Sequence, residues 1–472
     1  MIIVIQQQFS YGLKYNRYLR RLANKPGHAV LAINTEIFTL ESTSIRKSFA
    51  NILSQAAKEL FLFVICCLDG VVLIPTWFLT SLISIAFLFK SESIAHSKKM
   101  LLRLLAEGPF QQVPMHFIDS LHIYSTILRF AQPKTYLSLR KDNSLRRFSL
   151  HIIYFSLCYK FILALVSKFR PALYISLYSS YVQHGFPAGI FLKDSIPVWI
   201  LSARSSNGII LSNIEHNVFP DVPVLPESSP RGKDILENRI SGVIDKSINY
   251  MSFSAYAGSH YSLADPAIDV QTLAGFSTII YMHELCDSHL EGKQPYPFAD
   301  YYDWLEQTCE YLSSISANYA VKIHPALDTD SASAIQYRNT FSLLQVIKNN
   351  YNVIFTNATT PVLIQKGMTL GITVEGSVGP ELAYLGVSCV ALPTAQYSYF
   401  NMCYVANSRD EYFHLISNPG NAPFKKEFRE QACTYIGSQE IASSMPYFWD
   451  EKVCTSLNKA FGSPIFGLKL NP

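Results

Sequence analysis

Five short runs of apolar and β-branched residues do most to limit how this chain can fold: 278–281 (TIIY), 319–323 (YAVKI), 353–356 (VIFT), 370–374 (LGITV) and 388–392 (SCVAL). Each has the length of a strand. Each is nearly continuous in hydrophobicity, as strands covered on both faces are. Between them the spacing predicts helices: from about Tyr301 to Ile315, with Trp304, Leu305, Cys309 and Leu312 on one face, then around 340–349 and over 380–386. Strands that alternate with helices imply an α/β domain whose parallel sheet carries helices on both faces. Ligands of such sheets bind at the carboxyl ends of the strands.

The chain opens in the same way. Met1 to Ile5 reads as a strand, Gln6 to Gly12 as a polar loop, Lys14 to Lys25 as a basic helix and His28 to Asn34 as a second strand. Later, Ser149 to Lys168 reads as a core helix, Pro171 to Ser176 and Ile196 to Leu201 as strands, and Ser179 to Gly185 as a polar segment after a strand. Residues 218–235, with four prolines, read as a loop, and 236–272 carry no assignable pattern. A chain of 472 residues suggests two or three domains. The expected division is an N-terminal domain over 1–272 and a C-terminal domain over 273–472.

One segment interrupts this plan. Val71 to Phe89 holds no charged residue, and Leu60 to Leu68 is also apolar, with Asp69-Gly70 between them. The longer run matches the thickness of a bilayer. A span there would put the first strand and its sheet partners on opposite sides of a membrane. Residues 58–90 are therefore expected to be an apolar helical insertion, either dipping into one leaflet or packed in a core. The chain is 49% hydrophobic and 16% charged, with a net charge of +4. That balance provides for large cores and argues against nucleic-acid binding. Nine cysteines without paired spacing make sulfur-bound metal improbable and fit free thiols in a reducing cytosol. The N-terminus lacks the basic n-region of a signal peptide.

Two segments point to chemistry. Val321-Lys-Ile-His-Pro325 is a strand ending in a basic turn, where Lys322 and His324 can face a phosphate, or simply end a strand. Thr373-Val-Glu-Gly-Ser-Val-Gly-Pro-Glu381 is a strand running into a Gly/Ser loop that opens a helix. There Gly376 and Gly379 permit close backbone approach, Ser377 can cap the helix, its free N–H groups favour an anion, and Glu381 can meet a ribose. Helix capping alone would explain the same residues. A third group, His283, Glu284, Asp287 and His289, crowds one strand end as a base, a weak metal site or an ordinary polar loop. In the first half, Asp119 to Phe130 mixes polar and aromatic residues with Arg129, and Gln183-His184-Gly185 follows a strand.

Taken in order, these segments resemble bacterial capsule and surface polysaccharide glycosyltransferases from about residue 113 to 415. The carrying residues are Phe117-Ile-Asp-Ser120, Tyr124, Leu128-Arg129, His283 with Asp287, Trp304, Val321 to Pro325, Thr373 to Glu381, Gly386, Ala395-Gln-Tyr-Ser398 and Tyr412. The Lys-x-His-Pro and Gly-Ser-x-Gly-x-Glu elements are also similar to those of polysialyl-, Kdo- and glycerophosphotransferases. Two departures stand out: Glu375 sits where the pattern often has a basic or amide residue, and Ser388-Cys389 replaces the usual proline after the glycine.

The resemblance implies a GT-B-like α/β architecture of two Rossmann-like domains facing a cleft. It implies a nucleotide-sugar donor in the C-terminal domain and a glycan or glycolipid acceptor toward the N-terminal one. The expected roles are Asp287 with His283 as base, Lys322, His324, Ser377, Gly379 and Glu381 for the donor, and Asp119 and Arg129 for the acceptor. No metal and no cofactor beyond the donor is expected, because side chains and a helix dipole neutralise the departing phosphate. The expected setting is cytoplasmic, peripheral at the inner face of the cell membrane through 58–90. A catalytically silent scaffold and a nucleotide-sugar epimerase of the same fold are the alternatives.

Overall fold

In the computed structural model the described residues are 2–7, 29–34, 72–74, 123, 126, 152, 153, 156, 159–176, 181–196, 198–200, 209–211, 228–253, 275–285, 297, 298, 300–324, 334–395, 397, 398 and 400–444. They fall into two compact units. One comprises Met1–Phe130, Leu139–Asp221 and Ala442–Pro472, the other Ala131–Ser138 and Val222–Ile441.

The described strands of the first unit are β1 (Ile2–Gln7), β2 (Ala29–Asn34), β3 (Val72–Ile74), β4 (Leu173–Ser176), β5 (Val198–Ile200) and β6 (Ile209–Leu211). They form one sheet in the order β3-β2-β1-β4-β5-β6. Every pair is parallel except β5 with β6. This is the 3-2-1-4-5-6 order of a Rossmann sheet, with its reversal between β1 and β4. Residues 159–167 are helical and bury Tyr159, Ile162, Leu163 and Val166, as the apolar pattern predicts.

Two expectations for this unit change. The segment 58–90 is not helical throughout, because Val72 to Ile74 pairs in parallel with Leu31 to Ile33 as the edge strand of the sheet. Three consecutive β-branched or leucine residues before Pro75 suit a strand. The uncharged remainder, 76–89, is shorter than the roughly 17–25 residues of a bilayer-crossing helix. The rest of 58–90 lies outside the described residues, among which no helix is long and apolar enough to cross a membrane. The second concerns the segment read only as polar and following a strand, of which Gln183-His184-Gly185 lies within helix α1 (Tyr181–Lys193).

The second unit carries β7 (Thr278–Tyr281), β8 (Tyr319–Lys322), β9 (Ile354–Thr356), β10 (Leu370–Thr373), β11 (Ser388–Ala391) and β12 (Tyr404–Val405). Their order is β12-β11-β10-β7-β8-β9, and every pair is parallel. The same Rossmann order appears again, with the reversal between β7 and β10. All residues of β7, β10 and β11 are buried. Their lack of alternation in the sequence thus follows from cover on both faces.

Helix α2 (Ser228–Phe253) belongs to this unit, so the expected division at 272/273 falls inside it. Its prolines and serines read as a loop in the sequence. Pro230, however, sits in the first helical turn, where no N–H is needed. Leu236 is fully buried in the core of the second unit. Gly232 lies so close to helix α8 (Glu427–Ser444) that a Cβ there would be 1.7 Å from the Cys433 carbonyl oxygen.

The remaining described helices are α3 (Tyr301–Ser314), α4 (Ala334–Tyr351), α5 (Thr360–Gln365), α6 (Val378–Leu385) and α7 (Arg409–Ser417). Asp300 caps α3 by accepting from the Asp303 N–H at 2.7 Å. The buried residues Tyr301, Trp304, Leu305, Thr308, Cys309 and Leu312 recur at helical spacing and face the core. Helix α6 ends at Gly386, whose φ of 82° is the left-handed conformation that glycine adopts without strain.

Candidate functional site

The site is assembled where the second sheet reverses its order. The carboxyl ends of β7, β8 and β10 are neighbours there, and the chain leaves them through 282–285, 323–324 and 374–377. His283 follows β7, His324 follows β8 and Glu375 follows β10. Three residues from different parts of the sequence thus meet because the topology places their strands side by side.

Glu375 is the centre of the group. Its side chain is only 5% exposed, and its Oε1 lies 3.4 Å from Nε2 of His283, an ion pair when the ring is protonated. The Tyr301 hydroxyl, from the first residue of α3, donates to the same oxygen. The Tyr301 ring packs edge-on against His283 at 4.6 Å, and the His324 ring lies 5.9 Å from His283 on another side. A buried carboxylate is costly unless it is paired and hydrogen-bonded. Here the Tyr301 phenol supplies a hydrogen bond, and the His283 imidazole supplies the opposite charge when it is protonated. Glu375, a departure from the expected pattern, is therefore an internal partner of His283. Neither Glu375 nor Tyr301 was singled out as a site residue. The signal available was the strand order, which puts the ends of β7 and β10 together.

The turn that carries Glu375 is held at both ends. The Gly376 N–H donates to Thr373 Oγ1 at 3.1 Å, and the Tyr397 hydroxyl donates to the Gly376 carbonyl at 2.9 Å. Tyr397 belongs to the Ala395 to Ser398 element, which thereby gains a structural meaning. Ser377 does not cap α6. It has helical φ and ψ, it is exposed, and its hydroxyl makes no capping bond. Gly379 is a glycine for a reason other than ligand approach: a Cβ there would be 2.4 Å from the Tyr397 ring. Its N–H already donates to the Gly376 carbonyl at 3.2 Å.

The amine of Lys322 donates to the Ala358 carbonyl at 2.8 Å and approaches that of Asn357 at 3.5 Å. It ties the loop after β9 to the end of β8, the strand end from which it is expected to face a phosphate. Its charge also bears on Glu381 in α6. Burial pushes the Glu381 carboxyl above the usual range, and Arg239 of α2 and Lys322 partly offset that. A carboxyl that holds its proton more tightly when folded stabilises the fold at low pH, and that stabilisation is lost as pH rises through its raised folded value. Glu381→Gln is therefore expected to raise the unfolding temperature more at pH 8 than at pH 4, as followed by calorimetry. An equal shift at both pH values would show that Glu381 is not strained by burial.

Asp287, His289, Asp119 and Arg129 lie outside the described residues, so the structure neither joins them to this group nor separates them from it. Glu284 follows His283 on the same strand end. Among the described residues no three His, Cys, Asp or Glu side chains are placed to hold a metal ion. Two imidazoles, a paired carboxylate and a phenol can exchange protons and can hydrogen-bond an anion or a sugar hydroxyl.

No protein-family model matches this chain, and no curated protein sequence does either. Among solved structures it is similar to a UDP-N-acetylglucosamine 2-epimerase, with 10% identity and a TM-score of 0.24 over 98% of this chain and 96% of that one. It is also similar to a sucrose-phosphate synthase from Thermosynechococcus elongatus, with 9% identity and a TM-score of 0.34 over 98% of this chain and 99% of the other. No residue role is carried over from either.

Proposed function

We propose that this chain is a glycosyltransferase of the GT-B type, whose second unit takes a nucleotide-activated sugar. The observation that carries the reading is the convergence of His283, His324, Tyr301 and Glu375 at the order reversal of an all-parallel sheet, where such sheets bind ligands. The ordered resemblance to polysaccharide glycosyltransferases adds the substrate class: a nucleotide sugar as donor and a surface glycan or glycolipid as acceptor.

In this reading His324, the Ser377 hydroxyl and the start of α6 meet the diphosphate, Lys322 contributes charge from the end of β8, and Glu381 lies toward the ribose. Asp287, together with His283, takes the proton of the acceptor hydroxyl. That oxygen bonds to the anomeric carbon, the bond from that carbon to the phosphate oxygen breaks, and the diphosphate leaves with the electron pair. Asp119 and Arg129 are proposed for the acceptor side.

The test is calorimetric titration of the full chain with a panel of nucleoside diphosphates. His324→Ala is expected to weaken binding of the preferred nucleotide at least tenfold, or about 1.4 kcal/mol, while the unfolding temperature stays nearly unchanged. Absence of binding to every nucleotide by the folded chain would sink the reading. Incubation with donor alone separates an epimerase, which converts the sugar without an acceptor.

A further inference from the structure

We infer that Glu375 is a positioning residue for His283: a buried carboxylate, steadied by Tyr301, that orients the imidazole and balances the charge it gains when it accepts a proton. The part played by His283 in transfer rests on the glycosyltransferase reading. The pairing itself rests on geometry alone.

Three observations support it. Glu375 Oε1 lies 3.4 Å from His283 Nε2, with both side chains largely buried, so water screens the interaction little. The Tyr301 hydroxyl donates to the same oxygen, which fixes the carboxylate and offsets part of the cost of burying it. Finally, the turn bearing Glu375 is anchored by Thr373 and Tyr397 through the Gly376 N–H and carbonyl, which holds the backbone from which the carboxylate projects. An imidazole held by a second group through one nitrogen keeps the other nitrogen aimed for proton exchange.

Among the described residues, the titratable groups around His283 include Glu375 after β10, Tyr301 of α3, His324 and Lys322 at the end of β8, and Glu284 beside it. The Lys322 amine is turned to the carbonyls of Asn357 and Ala358. Glu375 is a carboxylate within ion-pair distance of the ring, so replacing it should change the charge that His283 carries at a fixed pH.

The experiment uses full-length protein with ¹⁵N-labelled histidine, the His283 signal being assigned by its loss in His283→Gln. At pH 7 the protonated fraction of His283 is expected to fall in Glu375→Gln and to recover in Glu375→Asp. Tyr301→Phe, which keeps the charge but frees the carboxylate, should lower it less, and it serves as the second variant if Glu375→Gln does not fold. An unchanged fraction in folded Glu375→Gln, or an equal fall in Glu375→Asp, overturns the proposal. This measurement needs no substrate, so it decides the pairing even if no nucleoside diphosphate binds and the transferase reading falls. With an active donor in hand, Glu375→Gln should lower kcat on the order of 100-fold and leave the donor KM within about twofold, as loss of acid–base assistance does. A rise in KM at constant kcat would instead make Glu375 a binding residue.

Discussion

Gly379→Ala is expected to destabilise the second unit by about 1–3 kcal/mol, the usual cost of forcing atoms into a packed site. The new Cβ would lie 2.4 Å from the tip of the Tyr397 ring. That ring is nearly fully buried, and its hydroxyl holds the Gly376 carbonyl. It cannot yield without releasing the turn that carries Glu375 and Ser377, so nucleotide binding should weaken together with stability. Denaturant unfolding combined with calorimetry measures both. In the double variant Gly379→Ala with Tyr397→Leu, the two costs should sum to less than their separate values, because the clash is relieved. If Gly379→Ala lost nucleotide binding while stability stayed unchanged, the glycine would be there for a ligand and not for Tyr397.

Trp304→Ala should cost more, about 3–5 kcal/mol, a large share of the 5–15 kcal/mol by which domains are commonly stable. Trp304 is fully buried on the inner face of α3, and its Nε1–H donates to the Tyr412 hydroxyl at 2.8 Å. Thr308 Oγ1 meets the same hydroxyl at 2.8 Å, and Phe298 packs edge-on against the Tyr412 ring at 5.3 Å. Removing the indole leaves a cavity and strips a buried hydroxyl of one partner. Because α3 also begins with Tyr301, a loosened helix should disturb the contact to Glu375. Trp304→Phe keeps much of the volume, so its cost should be nearer 1 kcal/mol. A cost below about 1 kcal/mol for Trp304→Ala, against the series it is drawn from, would show that the site collapses without strain.

These two residues also show what their place in the resemblance meant. Trp304 and Tyr412 touch each other, and Tyr397 locks the Gly/Ser turn. Each belongs to a motif because it holds the site together from behind. His283 and His324 stand on the site itself. A motif in a sequence does not separate these roles, since support and contact are both matters of which way a side chain leaves its strand.

The parallel sheet of the second unit was legible in the sequence because its strands are covered on both faces and read as unbroken apolar runs. Helix α3 was legible because its buried face repeats at helical spacing. Helix α2 was hidden by three prolines just before it and by two serines and Pro230 in its first turn, where a helix tolerates them. The strand Val72–Ile74 was hidden inside a longer apolar run, because hydrophobicity alone does not separate a buried strand from a helix.

Read residue by residue, the chain already shows that strands and helices alternate and that His283, His324 and the Gly/Ser turn fall at strand ends. Those facts are local, fixed by periodicity and by turn chemistry. Which strand ends are neighbours follows from the order of the strands in the folded sheet. The order β12-β11-β10-β7-β8-β9 sets β7 beside β10, so a histidine and a glutamate 92 positions apart come within 3.4 Å. Glu375, out of place when read along the chain, meets an imidazole that can balance its charge once the sheet brings the two together.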